Sequence, residues 1–300
     1  MRTIVVVGSL NMDMVSTVDR MPAPGETVAG RGFAMVHGGK GANQAVAAAR
    51  LGAVVRMVGC VGSDSFGGLL RQGLVAEGID VAGVRECPGA SGVAAITVDG
   101  SGGNSIVVYA GANALLLPGM IDAASIDSAA MVLVQLETPM ATVVRLAEVC
   151  SAAGTPLMLD PAPAQALSVS LLRKTAWLTP NESEARTLLG VAEDLPMEEA
   201  AERLLALGVR NVMLKLGARG VYLAGADVAS TLVPAPAVRA VDTTAAGDCF
   251  NAAFAVALTE GQAPVAAARF ACAAAALSTT GAGAQPSMPT REAVLRMMRG

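Results

Sequence analysis

Short runs of apolar, β-branched residues recur along the chain, each followed by a longer segment rich in alanine and leucine. The runs at Thr3–Val7, Val54–Gly59, Met131–Val134, Pro156–Leu159, Ala176–Leu178 and Asn211–Leu214 are almost continuously apolar, the pattern of strands covered on both faces. The intervening segments predict helices over Gly41–Leu51, Phe66–Glu77, Pro139–Ala153, Ser183–Leu189, Glu198–Leu207, Ala246–Glu260 and Pro264–Ser278. Such alternation predicts an α/β fold, with a central, mainly parallel sheet and helices on both of its faces.

Two stretches break the alternation. Met14–Val36 is rich in proline and glycine, and in Ser91–Tyr109 two β-rich runs flank Asp99-Gly100-Ser101-Gly102-Gly103-Asn104, which reads as a hairpin. Both are assigned to one small flap of antiparallel strands beside the main sheet, a discontinuous β lid drawn from about 14–36 and 91–109. No internal repeat, low-complexity tail or long linker interrupts the chain, so residues 1–300 are expected to form a single α/β domain.

Composition narrows the function. With 53 % hydrophobic and 15 % charged residues in 300, the chain can bury a sizeable core, which excludes disorder and small disulfide-stapled scaffolds. The net charge of −4 supplies no basic stripe for a nucleic acid backbone. Five cysteines (Cys60, Cys87, Cys150, Cys249, Cys272) form an odd set without C-x-x-C spacing, which suits a reducing cytoplasm rather than a disulfide framework or zinc ribbon. The apolar start breaks at Gly8-Ser9, too soon for a signal peptide. The apolar stretch Ala263–Leu277 is interrupted by Arg269 and falls short of the roughly 18 residues of a membrane span, so a soluble, cytoplasmic protein is expected. A single histidine, His37, stands in none of the settings that Ser-His-Asp triads or H-E-x-x-H sites require, leaving a carboxylate as the expected general base and a hard, oxygen-held cation as the expected metal.

Ligands of open α/β sheets bind beyond the carboxyl ends of the strands, which is where Asn11 and Asp13 fall after the first strand. In an extended segment their spacing of two puts both side chains on one face, suited to vicinal hydroxyls; a polar turn into the flap is the structural alternative. His37-Gly38-Gly39-Lys40-Gly41-Ala42-Asn43-Gln44 leads into an alanine-rich helix, and its glycines let backbone amides approach a ligand at the helix N-terminus. It is no Walker A loop, because Ala34 and Gly41 occupy the positions that would need Gly and Ser or Thr. Lys40 and Asn43, three apart, share a helix face. Asn181-Glu182-Ser183-Glu184 reads either as a capping box or as a Mg²⁺ and phosphate site. In Asp242-Thr243-Thr244-Ala245-Ala246-Gly247-Asp248, small residues at a helix start leave amides free for a transferring phosphoryl group, and Asp248 in the first turn can take a proton from an attacking hydroxyl.

Gly38–Ala45, Asn181-x-x-Glu184 and Asp242–Asp248, in this order, resemble the PfkB family of carbohydrate kinases over nearly the whole chain. Gly283-Ala284-Gln285-Pro286-Ser287 and the pair Asn11/Asp13 favour its ribokinase branch. The resemblance implies ATP-dependent phosphorylation of D-ribose at the 5-hydroxyl, with a β lid that pairs two subunits into a homodimer. It implies that Asn11, Asp13, Gly39, Lys40, Asn43 and Glu137 hold the sugar. Asp248 would be the catalytic base, which also touches substrate, beside an anion hole of the Ala245, Ala246 and Gly247 amides. Asn181 and Glu184 would serve Mg²⁺ and the ATP phosphates, with Lys215, Gly217, Gly220 and Gly247 completing the nucleotide site. A K⁺ loop maps to Asp242, Thr244, Ser278, Gly281, Gly283 and Ser287. Lys215 stands where Thr is common and Cys272 where His often flanks adenine. Three rivals remain. A nucleoside kinase would need base-stacking partners, for which Phe33 and Tyr109 are the flap candidates in a chain with 3 % aromatics; a 2-deoxyribose kinase would need the Asn11/Asp13 grip to tolerate a missing hydroxyl; a noncatalytic sugar-binding protein would have no use for Asp248 and Gly247.

Overall fold

The computed structural model describes residues 3–299. Its strands, in chain order, are β1 (Thr3–Val7), β2 (Asn11–Val18), β3 (Gly30–Gly38), β4 (Val54–Gly62), β5 (Asp80–Cys87), β6 (Gly92–Val98), β7 (Asn104–Tyr109), β8 (Ala129–Val134), β9 (Leu157–Leu159), β10 (Trp177–Leu178), β11 (Asn211–Lys215), β12 (Val221–Gly225) and β13 (Val228–Val233). The helices are α1 (Lys40–Arg50), α2 (Ser65–Ala76), α3 (Ala123–Asp127), α4 (Met140–Ala153), α5 (Val169–Leu172), α6 (Glu182–Leu189), α7 (Met197–Ala206), α8 (Ala246–Thr259), α9 (Pro264–Ser278) and α10 (Arg291–Arg299).

All six predicted strands and seven predicted helices form, with ends within a few residues of those expected. Nine strands make one sheet in the order β13-β12-β11-β10-β9-β8-β1-β4-β5. Pairing is parallel from β5 through β11, and β12 and β13 add an antiparallel edge. The near-continuous apolar runs have the anticipated cause: Ile4 and Val6 enter one core and Val5 and Val7 the other, and Met131 and Leu133 are likewise divided from Val132 and Val134. On one face the middle of α8 is pinned by Phe254, whose ring meets Trp177 of β10 edge-on at 4.9 Å.

The small sheet differs from expectation in its pairing. Its order is β3-β2-β6-β7, and although β2–β3 and β6–β7 are antiparallel, the central pair β2–β6 is parallel. The reason is topological: β2 continues from β1 and β6 follows β5, so both leave the same end of a parallel sheet and run the same way. The sheet also starts earlier than residue 14, at Asn11, which removes the polar-turn reading of Asn11 and Asp13. Among the described residues no helix is long and apolar enough to cross a membrane.

Candidate active site

Each core strand from β8 to β11 ends in, or is soon followed by, a buried or half-buried polar side chain: Gln135 and Glu137 after β8, Asp160 after β9, Asn181 after β10 and Lys215 at the end of β11. With Ser9 beyond β1 they line the crevice where the strand order reverses, the ligand position of open α/β sheets. The N-terminus of α1 closes down on this crevice because two glycines permit it. A Cβ at Gly41 would lie 2.6 Å from the Gly8 carbonyl carbon, and Gly39, at φ 87°, would place one 2.7 Å from the Asn11 amide nitrogen.

Asp248 sits in the first turn of α8, buried to 4 % exposure. Asn43 Nδ2 donates to its Oδ2 at 3.0 Å and Gln44 Nε2 to its Oδ1 at 3.1 Å. The same Gln44 nitrogen donates to Asp160 Oδ2 at 3.1 Å, and Gln135 Nε2 fixes the Gln44 amide by donating to its Oε1 at 2.8 Å. Burial pushes the Asp248 carboxyl up to about 6; Lys40 and the two amide donors pull against that, while Asp160 adds to it. Ala245, which precedes α8, has φ 59°, the one left-handed non-glycine among the described residues, and this turns the chain so that the small residues 245–247 face the crevice with helix amides uncapped by any side chain. A Cβ on Gly247 would lie 3.4 Å from Lys215 Nζ, which places that ammonium beside the anion-hole candidates.

Around Asp248 gather the other predicted sugar ligands. Asp13 is buried and shares its strand face with Asn11; burial, then Glu137, then Asp248 push its carboxyl up to about 7. Glu137 is held by Ser9 Oγ at 2.5 Å and by the Lys40 backbone amide at 3.1 Å. Burial works against the Lys40 ammonium, but Asp248, Asp160, Glu137 and Glu184 outweigh it and hold its pKa above the ordinary value.

On the opposite side, the capping reading of Asn181 and Glu184 is realised in full. Asn181 Oδ1 accepts from the Glu184 amide at 2.8 Å, and Glu184 accepts from the Asn181 amide at 2.7 Å. Burial, the leading cause, and Asp160 raise the Glu184 pKa against the pull of Lys215 and Lys40. Lys215 reaches Asp160 Oδ1 at 3.0 Å, so its ammonium is already committed to a buried carboxylate. Gly217 and Gly220 form the turn between β11 and β12. Cys272 is buried, with Sγ 3.9 Å from the Val233 carbonyl oxygen.

The loop predicted to hold a monovalent cation is drawn together at one point. Asp242 accepts from the Thr244 amide at 2.9 Å and the Gly283 amide at 2.8 Å, while a Cβ at Gly281 would lie 3.3 Å from that of Ser287. The hydroxyls of Ser278 and Ser287 donate to the carbonyls of Ala275 and Ala284. Among the described residues there is no cluster of three or more His, Cys, Asp or Glu arranged to hold a metal.

Sequence reasoning passed over Ser9, Gln135 and Asp160, and quoted Gln44 without a role. Asp160 and Gln135 carried a legible signal: each is the first polar residue after an almost purely apolar strand.

The profile of the pfkB family carbohydrate kinases matches residues 1–291. The ribokinase of Bacillus subtilis (strain 168) is 44 % identical over 301 residues, covering 99 % of this chain and 100 % of that protein. The ribokinase of Haemophilus influenzae is 42 % identical over 302 residues, with 99 % and 98 % covered. A solved structure of Arabidopsis thaliana ribokinase complexed with ribose and ATP superposes with a TM-score of 0.93 at 35 % identity, covering 100 % of this chain and 99 % of that one. A deoxyribokinase of Salmonella typhi is 37 % identical over 295 residues, covering 96 % of each chain. The chain belongs to the pfkB family of carbohydrate kinases. Within that family its similarity to ribokinases runs from end to end.

Proposed function

We propose that this protein is an ATP-dependent ribokinase that phosphorylates D-ribose at its 5-hydroxyl, with Asp248 as the catalytic base. The observation that carries the reading is the placement of Asp248: buried, held by two amide donors, and in the first turn of a helix whose start no side chain caps, the Ala246 amide donating to the Thr243 carbonyl at 3.2 Å. Asn11, Asp13, Gly39, Lys40, Asn43 and Glu137 hold the sugar so that the attacking hydroxyl faces the Asp248 carboxylate, which accepts its proton as the phosphoryl group arrives. The amides of Ala245, Ala246 and Gly247 stabilise charge on the transferring group, and Lys215 lies close enough to join them.

The donor set suits a hydrated Mg²⁺: five carboxylates (Asp13, Glu137, Asp160, Glu184, Asp248) face only two ammonium groups, Lys40 and Lys215. Asn181 and Glu184 would hold it with the ATP phosphates, where it neutralises phosphate charge. Lys215, Gly217, Gly220 and Gly247 line the remainder of the nucleotide site. The oxygen-rich loop of Asp242, Thr244, Ser278, Gly281, Gly283 and Ser287 fits K⁺, which would stiffen the approach to the anion hole. The small sheet acts as the lid. Its exposed apolar side chains, Phe33, Met35, Ile106, Val107, Val108 and Tyr109, suit burial against a second copy in a homodimer. Five buried, unpaired cysteines are consistent with the cytoplasm.

The test is initial ADP formation from MgATP with D-ribose, 2-deoxyribose, fructose or adenosine, each in K⁺ and in Na⁺. Turnover with ribose, faster in K⁺, is the expected result. Turnover with adenosine alone would move the chain to nucleoside kinases, preference for 2-deoxyribose to deoxyribokinases, and silence with every acceptor to a binding protein. Equal rates in the two salts would remove the cation loop from the mechanism.

A further inference from the structure

Asn113 lies in the 3-10 turn Gly111–Leu115, where the chain returns from the small sheet, and it is buried to 1 % exposure. Its amide is clamped by the backbone of a single residue: Oδ1 accepts from the Leu10 amide at 2.9 Å, and Nδ2 donates to the Leu10 carbonyl at 3.2 Å. A backbone N–H and a backbone C=O cannot exchange roles, so the two ends of the Asn113 side chain are assigned without ambiguity. The second hydrogen of Nδ2 is then aimed at Asn11 Oδ1, 2.7 Å away. That bond occupies the Asn11 carbonyl, so the end of the amide left for a ligand is Nδ2. Gly92, the first residue of β6, vacates the space: a Cβ there would lie 2.2 Å from both Asn11 Oδ1 and Asn113 Nδ2.

We propose that Asn113 is a specificity-determining positioning residue, which locks the Asn11 amide so that its donor end and not its carbonyl faces the sugar. The inference rests on the reading of Asn11 as a sugar ligand. Its chemical content is a matched pair on one strand face. The fixed N–H₂ of Asn11 donates to one hydroxyl oxygen while the Asp13 carboxylate accepts a hydrogen bond from the neighbouring hydroxyl, an arrangement for vicinal hydroxyls that a deoxy sugar satisfies at only one end. An unlocked Asn11 could turn over and accommodate either sugar, so the lock converts a tolerant amide into a discriminating one. It also ties that choice to the joint where β2, β6 and the return from β7 meet.

The decisive variant is Asn113→Asp, which keeps an acceptor for the Leu10 amide but withdraws the donor from Asn11. The Asn11 amide then turns to donate to the introduced carboxylate and presents its carbonyl to the sugar beside Asp13. The KM for ribose is expected to rise about tenfold or more, the loss of one well-placed hydrogen bond to a buried group. The KM for MgATP and kcat at saturating ribose stay within about twofold, and the ratio of kcat/KM for ribose over 2-deoxyribose collapses towards one. Asn113→Ala, which adds no charge to the interior, shows the same loss of discrimination with a smaller rise in KM, and thermal unfolding of both variants reports whether the fold is kept. The cycle is closed in an Asn11→Ala background, where Asn113→Asp is expected to change the ribose KM less than twofold. Equal effects of Asn113→Asp in the two backgrounds, or an unchanged sugar preference in both Asn113 variants, overturn the proposal alone. An Asn11→Ala enzyme with the ribose KM and sugar preference of the unaltered protein overturns it together with the reading of Asn11 on which it stands.

Discussion

The two sides of the crevice are built on different principles. On the side proposed to hold the sugar, partners come from far apart in the chain: Ser9 and Glu137 are 128 residues apart, Asn43 and Asp248 205. Ser9, Asn43 and Asp248 are buried and Glu137 is half-buried, and the members of each pair are bonded to one another. On the side proposed to hold the nucleotide the key pair is local, with Asn181 and Glu184 three residues apart and joined as an ordinary helix cap, and a glycine turn follows β11. A phosphate chain asks only for amides and charge, which a helix start and a turn supply wherever they occur. A sugar must be told from its near relatives, and that takes donors and acceptors fixed by the whole fold. The sugar side therefore concentrates both selectivity and electrostatic strain.

The largest effect expected from this contrast is that of Asp248→Asn. Removing the base while keeping its shape lowers kcat by roughly 10²–10⁴, with the ribose KM changed far less. In the unaltered protein kcat at saturating ribose falls as the pH is lowered through about 6, because burial holds the carboxyl up there and only the ionised form accepts a proton. The residual rate of the variant loses that acid limb. A pH profile of both proteins checks the two statements together, and a variant with near-normal turnover would remove Asp248 from the base role.

Asp13→Asn separates stability from function on the sugar side. A carboxyl raised from 3.8 to about 7 favours the folded state at low pH, and that contribution is lost as the pH rises through about 7. At pH 8 the free protein thus carries a buried carboxylate repelled by Glu137 and Asp248. The amide relieves it, so Tm of the ligand-free variant at pH 8 should rise by roughly 1–2 °C, the shift made by about 1 kcal/mol in a domain of this size. The gain shrinks at pH 5, where the native carboxyl is already protonated, and ribose affinity falls at either pH. Scanning calorimetry at the two pH values, with and without ribose, measures all of this. A variant no more stable at pH 8 than the parent would show that Asp13 is not strained.

The same contrast explains what could be read from the sequence. The parallel sheet was legible because strands covered on both faces must be continuously apolar, and the capping box of Asn181-x-x-Glu184 was legible because it is a local pattern. Asn11 and Lys40 could be proposed one at a time, but not the bonds that join them to Asn113 and Glu137, 102 and 97 residues away. Gln44 shows the limit well: its motif was visible, yet its role depends on Gln135, Asp160 and Asp248 arriving from three other elements. The parallel pairing of β2 with β6 was hidden for the same reason, since each hairpin announces its own turn but not how it meets the other.

The smallest effect lies at the seam between the two sides, where Ala245 takes φ 59° to start α8. A left-handed alanine costs about 1–2 kcal/mol, and glycine would relieve it. Glycine also gains freedom in the unfolded chain, which takes back about 0.4–1 kcal/mol, so Ala245→Gly should leave stability within about 1 kcal/mol of the parent. The anion hole is where the exchange is felt. An alanine forced into this conformation holds the amides of 245–247 in one direction, whereas glycine admits several, and kcat should fall by less than the roughly hundredfold that outright loss of a donor costs. Denaturant midpoints beside single-turnover rates test this. Slower phosphoryl transfer at unchanged stability is the expected pair, and an enzyme as fast as the parent would mean that the strain at Ala245 does nothing for the amides that follow it.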